Sequence, residues 1–171
     1  FGEMAFLLER PRTLDVYANL RPARYLGLPT PLKEDLARHA DILVVRELSS
    51  GVYFGEPRWE KAEEALDTWR QTADEVRRVA HVAFKLARRR KKHLTSVDKA
   101  NVLACSRLWR RVVTELGAEY PDVALEHRYV DARGRSVNVA VPDGRAATPL
   151  VRDGRPVALI LHRADVLDNP E

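Results

Sequence analysis

A single cysteine, Cys105, is all the chain holds, so no disulfide can close within it, and a reducing compartment, the cytoplasm, is the expectation. No apolar run approaches the roughly 20 residues that a membrane helix needs. The opening Phe1-Gly2-Glu3-Met4-Ala5-Phe6-Leu7-Leu8 has neither the basic flank nor the cleavage site of a signal peptide. Internal repeats and low-complexity stretches are missing too. So is a block of one charge: charged residues make up 32% with both signs mixed, and the net +4 is a scattered surplus, so neither nucleic-acid nor membrane binding is implied. Even the densest basic run, Arg88-Arg89-Arg90-Lys91-Lys92, closes an apparent helix, where cations meet the negative end of its dipole and otherwise point into water. The chain begins with Phe rather than Met and is expected to be a piece of a longer protein.

What is present is enough for a real core: 171 residues, 45% of them apolar, make one domain or one and a half. Asp41 to Arg46 is a short β-branched block suited to a strand buried on both faces. Ahead of it, Thr30 as N-cap and Pro31 at the first helical position predict a short helix reaching Arg38. From Asp74 to Lys92, Val76, Val79, Ala80, Ala83 and Ala87 recur at three- and four-residue spacing, the mark of an amphipathic helix. His93 to Val97 reads as a strand. A second helix follows from about Leu103, with Leu108, Val112 and Leu116 in register, Gly117 as its C-cap and Pro121 barring continuation. Val123 to Val130 reads as a further strand. Beyond Ala132 the pattern changes: Asp143-Gly144 and Asp153-Gly154 separate β-prone runs, which predicts a meander of Val137–Val141, Thr148–Val151 and Val157–His162.

Four ionisable residues fall at the ends of the expected strands, where α/β folds gather ligand sites: Arg46, Asp98, Lys99 and Asp131. An arginine offers a planar fork to a carboxylate, a lysine can be drawn into proton transfer, and an aspartate can hold a divalent cation. Taken singly, each is also an ordinary surface or ion-paired residue.

Five strings change that balance: Tyr17-Ala18-Asn19-Leu20-Arg21-Pro22, Val45-Arg46-Glu47-Leu48, Tyr53-Phe54-Gly55-Glu56-Pro57-Arg58, Ser96-Val97-Asp98-Lys99-Ala100-Asn101-Val102-Leu103 and Tyr120-Pro121-Asp122-Val123. In order and spacing they resemble the isopropylmalate dehydrogenases of the isocitrate/isopropylmalate dehydrogenase family, over Glu3 to Asp131. The resemblance implies an α/β protein, a partial isopropylmalate dehydrogenase-like fold made mainly of the substrate and dimerisation domain over 1–132, followed by a β-rich tail over 133–171. It implies NAD-dependent oxidative decarboxylation of 3-isopropylmalate, in leucine biosynthesis, with Mg or Mn as second cofactor. Arg21 and Arg46, with Arg10 as a third, then hold the carboxylates of a small dicarboxylic acid. Tyr53 protonates the enolate, and Lys99 assists removal of the hydroxyl proton. Asn101 meets substrate or nicotinamide ribose, Glu3 lies near the cofactor, and Asp131 is a metal ligand. In the family the lysine and the aspartate serve the neighbouring subunit's site, which implies a homodimer.

The chain departs from the pattern in places. Leu48-Ser49-Ser50 stands where isocitrate enzymes carry Asn-Thr-Glu, which favours the isopropylmalate branch, and Ser50-Gly51 stands where the family commonly has two glycines, a less flexible backbone. The stretch from Arg24 to Pro31 is shorter than the family loop, which is expected to shift Arg21 relative to Arg46. The later metal aspartates and the Gly-rich adenosine segment are not in the chain, and its tail more nearly resembles a stretch upstream of the kinase core in sensor histidine kinases. An incomplete, inactive enzyme is the leading expectation. Its rival is a non-catalytic dimerisation or sensory module.

Overall fold

The computed structural model describes residues 15–29, 33, 37–38, 40–130 and, for the backbone, 158–161. The expected strands Val137–Val141 and Thr148–Val151, and Thr30 and Pro31 of the short helix, lie outside the described residues. Of that helix Ala37 is described, buried and donating its N–H to the carbonyl of Lys33.

A five-stranded sheet runs in the order β1 (Ala18–Arg24), β2 (Asp41–Glu47), β7 (Ala158–Leu161), β5 (His93–Asp98), β6 (Ala124–Tyr129). β1 is antiparallel to β2, and the other pairings are parallel. Sequence reading missed β1, because Pro22 and a mostly exposed, charged run do not alternate like a strand. At an edge, a proline's missing N–H forfeits no ladder bond. β7 falls on the third strand expected of the tail, but it lies parallel between β2 and β5, and its Ala-Leu-Ile-Leu suits a strand with neighbours on both sides. A two-stranded hairpin, β3 (Trp59–Glu60) and β4 (Ala65–Leu66), was also unforeseen, its strands being too short for any periodicity to register.

Helix α1 (Ala73–Arg89) begins where Thr72 accepts from the Glu75 N–H while the Glu75 carboxylate accepts from the Thr72 N–H. This reciprocal cap satisfies two otherwise orphaned donors. Of the basic run at its exit, three members are held in ion pairs and not merely solvated: Arg88 grips Asp122, Lys92 lies 3.9 Å from the same carboxylate, and Arg90 donates to the carbonyl and carboxylate of Asp41. Helix α2 (Ala104–Gly117) ends with Ala118 as its cap, in ordinary right-handed geometry. Gly117 is therefore not the left-handed cap expected of it. Its absent side chain matters for packing, since a Cβ there would meet Leu125 at 3.2 Å and Phe84 at 3.7 Å.

Both helices cover one face of the sheet. Their core joins Val45 of β2 and Leu94 of β5 to Val76, Val79, Ala80, Ala83, Phe84 and Ala87 of α1, and to Trp109, Val112, Val113 and Leu116 of α2. The Trp109 indole N–H donates to Ser96 at 3.0 Å, so the largest core side chain leaves no polar atom unpaired. On the opposite face Ile42 and Val44 pack with Val97.

At the α2–β6 end, the fully buried Asp98 carboxylate takes both forks of Arg110, at 2.8 and 3.0 Å, and Arg110 lies over the Tyr129 ring. Beside it His127 shares a hydrogen bond with Thr114. Burial pushes His127 below its ordinary value, and the Arg110 charge pushes the same way against an opposing pull from Asp98.

Two outcomes follow from this packing. Phe84→Ala removes a ring at zero exposure and lowers stability by about 3–5 kcal/mol, read from the urea midpoint; a loss below about 1 kcal/mol contradicts the packing described. Because the folded value of His127 lies below the unfolded one of about 6.5, the unfolded chain binds more protons as pH falls past that point, and stability is lost with acidification. The drop in melting temperature from pH 7 to pH 5 is accordingly smaller in His127→Gln than in the parent.

Candidate dicarboxylate site

Period-two alternation along β2 sends Val45 and Glu47 to the helix-covered face, where both are buried, and so sends Arg46 to the opposite one. In the β1–β2 register Asn19 stands opposite Arg46 and Arg21 opposite Val44. Arg21 and Arg46 therefore share a face as diagonal neighbours, within reach of long side chains. The shortened stretch after Arg24 does not part them. Arg21 is steadied by Asn19, whose carbonyl oxygen accepts from its Nε at 2.9 Å.

Tyr53 joins them by way of a tight turn. Arg46 donates to the Tyr53 oxygen, while burial, and next the like charge of Arg21, hold its guanidinium below the usual arginine range. Its Nε is buried with no hydrogen-bond partner among the described residues. A half-buried cation facing a second cation with a spare donor is an arrangement that an anion relieves.

The turn carrying Tyr53 is built on Glu47. Its carboxylate, only 1% exposed, accepts from the N–H and hydroxyl of Ser49 at 2.7 and 2.6 Å and from those of Ser50 at 3.1 and 3.0 Å. Gly51 then takes a φ of +87°, a conformation that favours glycine, and its carbonyl accepts from Phe54 and Gly55. The glycine requirement therefore falls on residue 51 and not on 50. At Gly55 a Cβ would sit 1.5 Å from the Thr68 carbonyl oxygen, so no larger residue fits. A cavity of about 290 Å³ lies along this turn, lined among others by Ser49, Ser50, Phe54, Arg70 and Glu75. None of Arg21, Arg46 or Tyr53 lines it, so it is not the space in which they meet.

Lys99 stands at the same sheet edge. Arg46 and Val97 are both level with Leu161, two strand spacings, about 10 Å, apart, and Lys99 follows just past the end of β5. Its carbonyl accepts from Val102 and Leu103, which tightens the turn holding the exposed Asn101. Glu3, Arg10 and Asp131 lie outside the described residues. Among the described residues no three His, Cys, Asp or Glu side chains group to hold a metal ion, and one carboxylate alone holds a cation poorly. No described helix is long and apolar enough to cross a membrane. Sequence reading missed Glu47, Ser49 and Ser50 as supports of the site, although a glutamate directly followed by Leu-Ser-Ser is the sort of signal that marks a side-chain-capped turn.

Residues 4–140 match the model of the family described as isocitrate/isopropylmalate dehydrogenase. The 3-isopropylmalate dehydrogenase of Aquifex aeolicus (strain VF5) is 50% identical over 132 residues, 73% of this chain and 36% of that protein. That of Staphylococcus aureus (strain Mu50) is 49% identical over 129 residues, 74% of this chain and 37% of that protein. Isocitrate dehydrogenase from Methylococcus capsulatus shares the fold with a TM-score of 0.66 at 29% identity, over 90% of this chain and 42% of that one. The chain thus spans a little over a third of the length of the curated relatives it matches. With the match running through both arginine strands, the tyrosine turn and the lysine turn, the chain belongs to the isocitrate/isopropylmalate dehydrogenase family.

Proposed function

We propose that this chain supplies the dicarboxylate-binding part of an NAD-dependent 3-isopropylmalate dehydrogenase. The observation that carries the reading is the convergence of Arg21, Arg46 and Tyr53 on one face at the end of β2. Paired guanidiniums are permanently charged and present forks that match carboxylates two bonds at a time, which lysines cannot do. They orient a malate-like acid by its two carboxylates. Tyr53, beside Arg46, gives its phenolic proton to the enolate carbon once carbon dioxide has left.

Lys99 assists removal of the hydroxyl proton, and Asn101 contacts substrate or nicotinamide ribose. Within one chain Lys99 stands two strands from Arg46, a separation that supports its serving the site of a second copy in a homodimer. NAD supplies the hydride acceptor, and a Mg or Mn ion the polarising charge, in the complete enzyme.

Calorimetric titration with 3-isopropylmalate, isocitrate and tartrate tests the reading. Isopropylmalate is expected to bind most tightly, and Arg46→Lys to weaken it by about tenfold or more, as lost bidentate contact predicts. Equal affinity of Arg46→Ala and the parent for isopropylmalate sinks the assignment. Sedimentation of the chain checks the dimer, and NADH formation reads whether it turns over.

A further inference from the structure

We infer that Ser50 is a positioning residue for Tyr53: its hydroxyl, with that of Ser49, fastens the turn after β2 to the buried Glu47 carboxylate and so holds the phenol against Arg46. The inference deepens the dicarboxylate reading and rests on it for the binding half of its test.

The chain must reverse between Arg46, on the open face of β2, and Tyr53, which returns to the Arg46 guanidinium. Glu47 is the one ionisable residue buried in that reversal, and four donors from two successive residues surround it. Two are backbone N–H groups that any residue but proline would supply. The other two are hydroxyls that only these side chains supply. They do not share the work equally. Ser49 Oγ is also gripped by Arg78 Nη2 at 2.6 Å, so α1 holds Ser49 from outside. Among the described residues Ser50 Oγ has only Gln71 Nε2 besides, at 3.5 Å, the outer limit of a hydrogen bond. Ser50 is 5% exposed, and its hydroxyl bond to Glu47 Oε2 is the shorter of the two it makes.

Downstream the geometry is stiff. Gly51 N–H donates to the Arg70 carbonyl, and Phe54 and Gly55 close back on Gly51. Tyr53 thus follows residue 51, which is held on one side by Arg70 and on the other by what fastens residue 50, while Arg58 donates to the Tyr53 carbonyl at 3.1 Å. Loss of the Ser50 hydroxyl leaves Glu47 Oε2 with one donor, the Ser50 N–H, and loosens the turn where it leaves β2.

The test compares Ser50→Ala, which deletes the hydroxyl, with Ser50→Thr, which keeps it, by isopropylmalate Kd, melting temperature and the Tyr53 carbon-13 phenol resonance, assigned with Tyr53→Phe. We expect Ser50→Ala to bind about tenfold more weakly and its Tyr53 resonance to move. Ser50→Thr is expected to keep both near the parent, even where its extra methyl lowers the melting temperature. A mere stabilising role would follow the melting temperature and leave affinity and resonance unchanged in the alanine variant, which overturns the inference. So does equal loss of both in the alanine and threonine variants at matched stability. If the parent itself binds no isopropylmalate, the functional reading fails, and the Tyr53 resonance alone decides the role of Ser50.

Discussion

The alternation of β2 is the constraint on which the site depends. Val45 at zero exposure and Glu47 at 1% both enter the helix-covered face, so Arg46 between them has only the other face available. A slip of one residue would put a guanidinium into the contact with α1 and expel a core valine, an exchange that burial forbids. The same register carries Arg21, because β1 pairs through Asn19 opposite Arg46 and extends to Leu48, whose N–H donates to the Tyr17 carbonyl. Packing on one side of the sheet therefore aims charge on the other.

A second regularity lies at the strand ends. β2 and β5 each close with an acid on the helix face, Glu47 and Asp98, fully buried in each case. Each acid caps the turn that follows, Glu47 through Ser49 and Ser50 and Asp98 through the Ala100 N–H at 2.9 Å. Each also has a cation beside it in sequence, Arg46 before Glu47 and Lys99 after Asp98. The two acids are compensated differently: Asp98 by the fork of Arg110, Glu47 by hydroxyls and amides. Buried carboxylates that accept several donors rigidify the backbone around them, and here that backbone carries Arg46, Tyr53 and Lys99.

Much of this was legible in the sequence. The apolar spacing from Val76 to Ala87 and from Leu108 to Leu116 marked both helices, and the β-branched run ending at Arg46 marked β2, because burial of one stripe or one block leaves a periodic trace. β1 and the β3–β4 hairpin left none: the first is mostly exposed at an edge, and the second has two residues per strand. Arg46 and Lys99 were visible as charges at strand ends. Arg21 and Tyr53 were visible only through resemblance, since their meeting depends on an antiparallel register and a turn that no local pattern specifies. Glu47, Ser49 and Ser50 were hidden for a related reason, in that a buried acid and an exposed one look alike until a fold surrounds them.

The arginine pair also ties ligand to stability. Two like charges held as diagonal neighbours, one of them half-buried, raise the free energy of the empty fold, and burial and repulsion already act together on Arg46. The β1–β2 ladder and the Glu47 turn must supply what holds them. In the proposed reading a dianion would reverse the sign of that contribution, pairing with both cations and giving the Arg46 Nε an acceptor. Anything that binds the folded state alone adds to its stability. Affinity at such a site is thus partly repulsion relieved, and it is greatest where the scaffold is stiff enough that the cations cannot escape each other by moving apart.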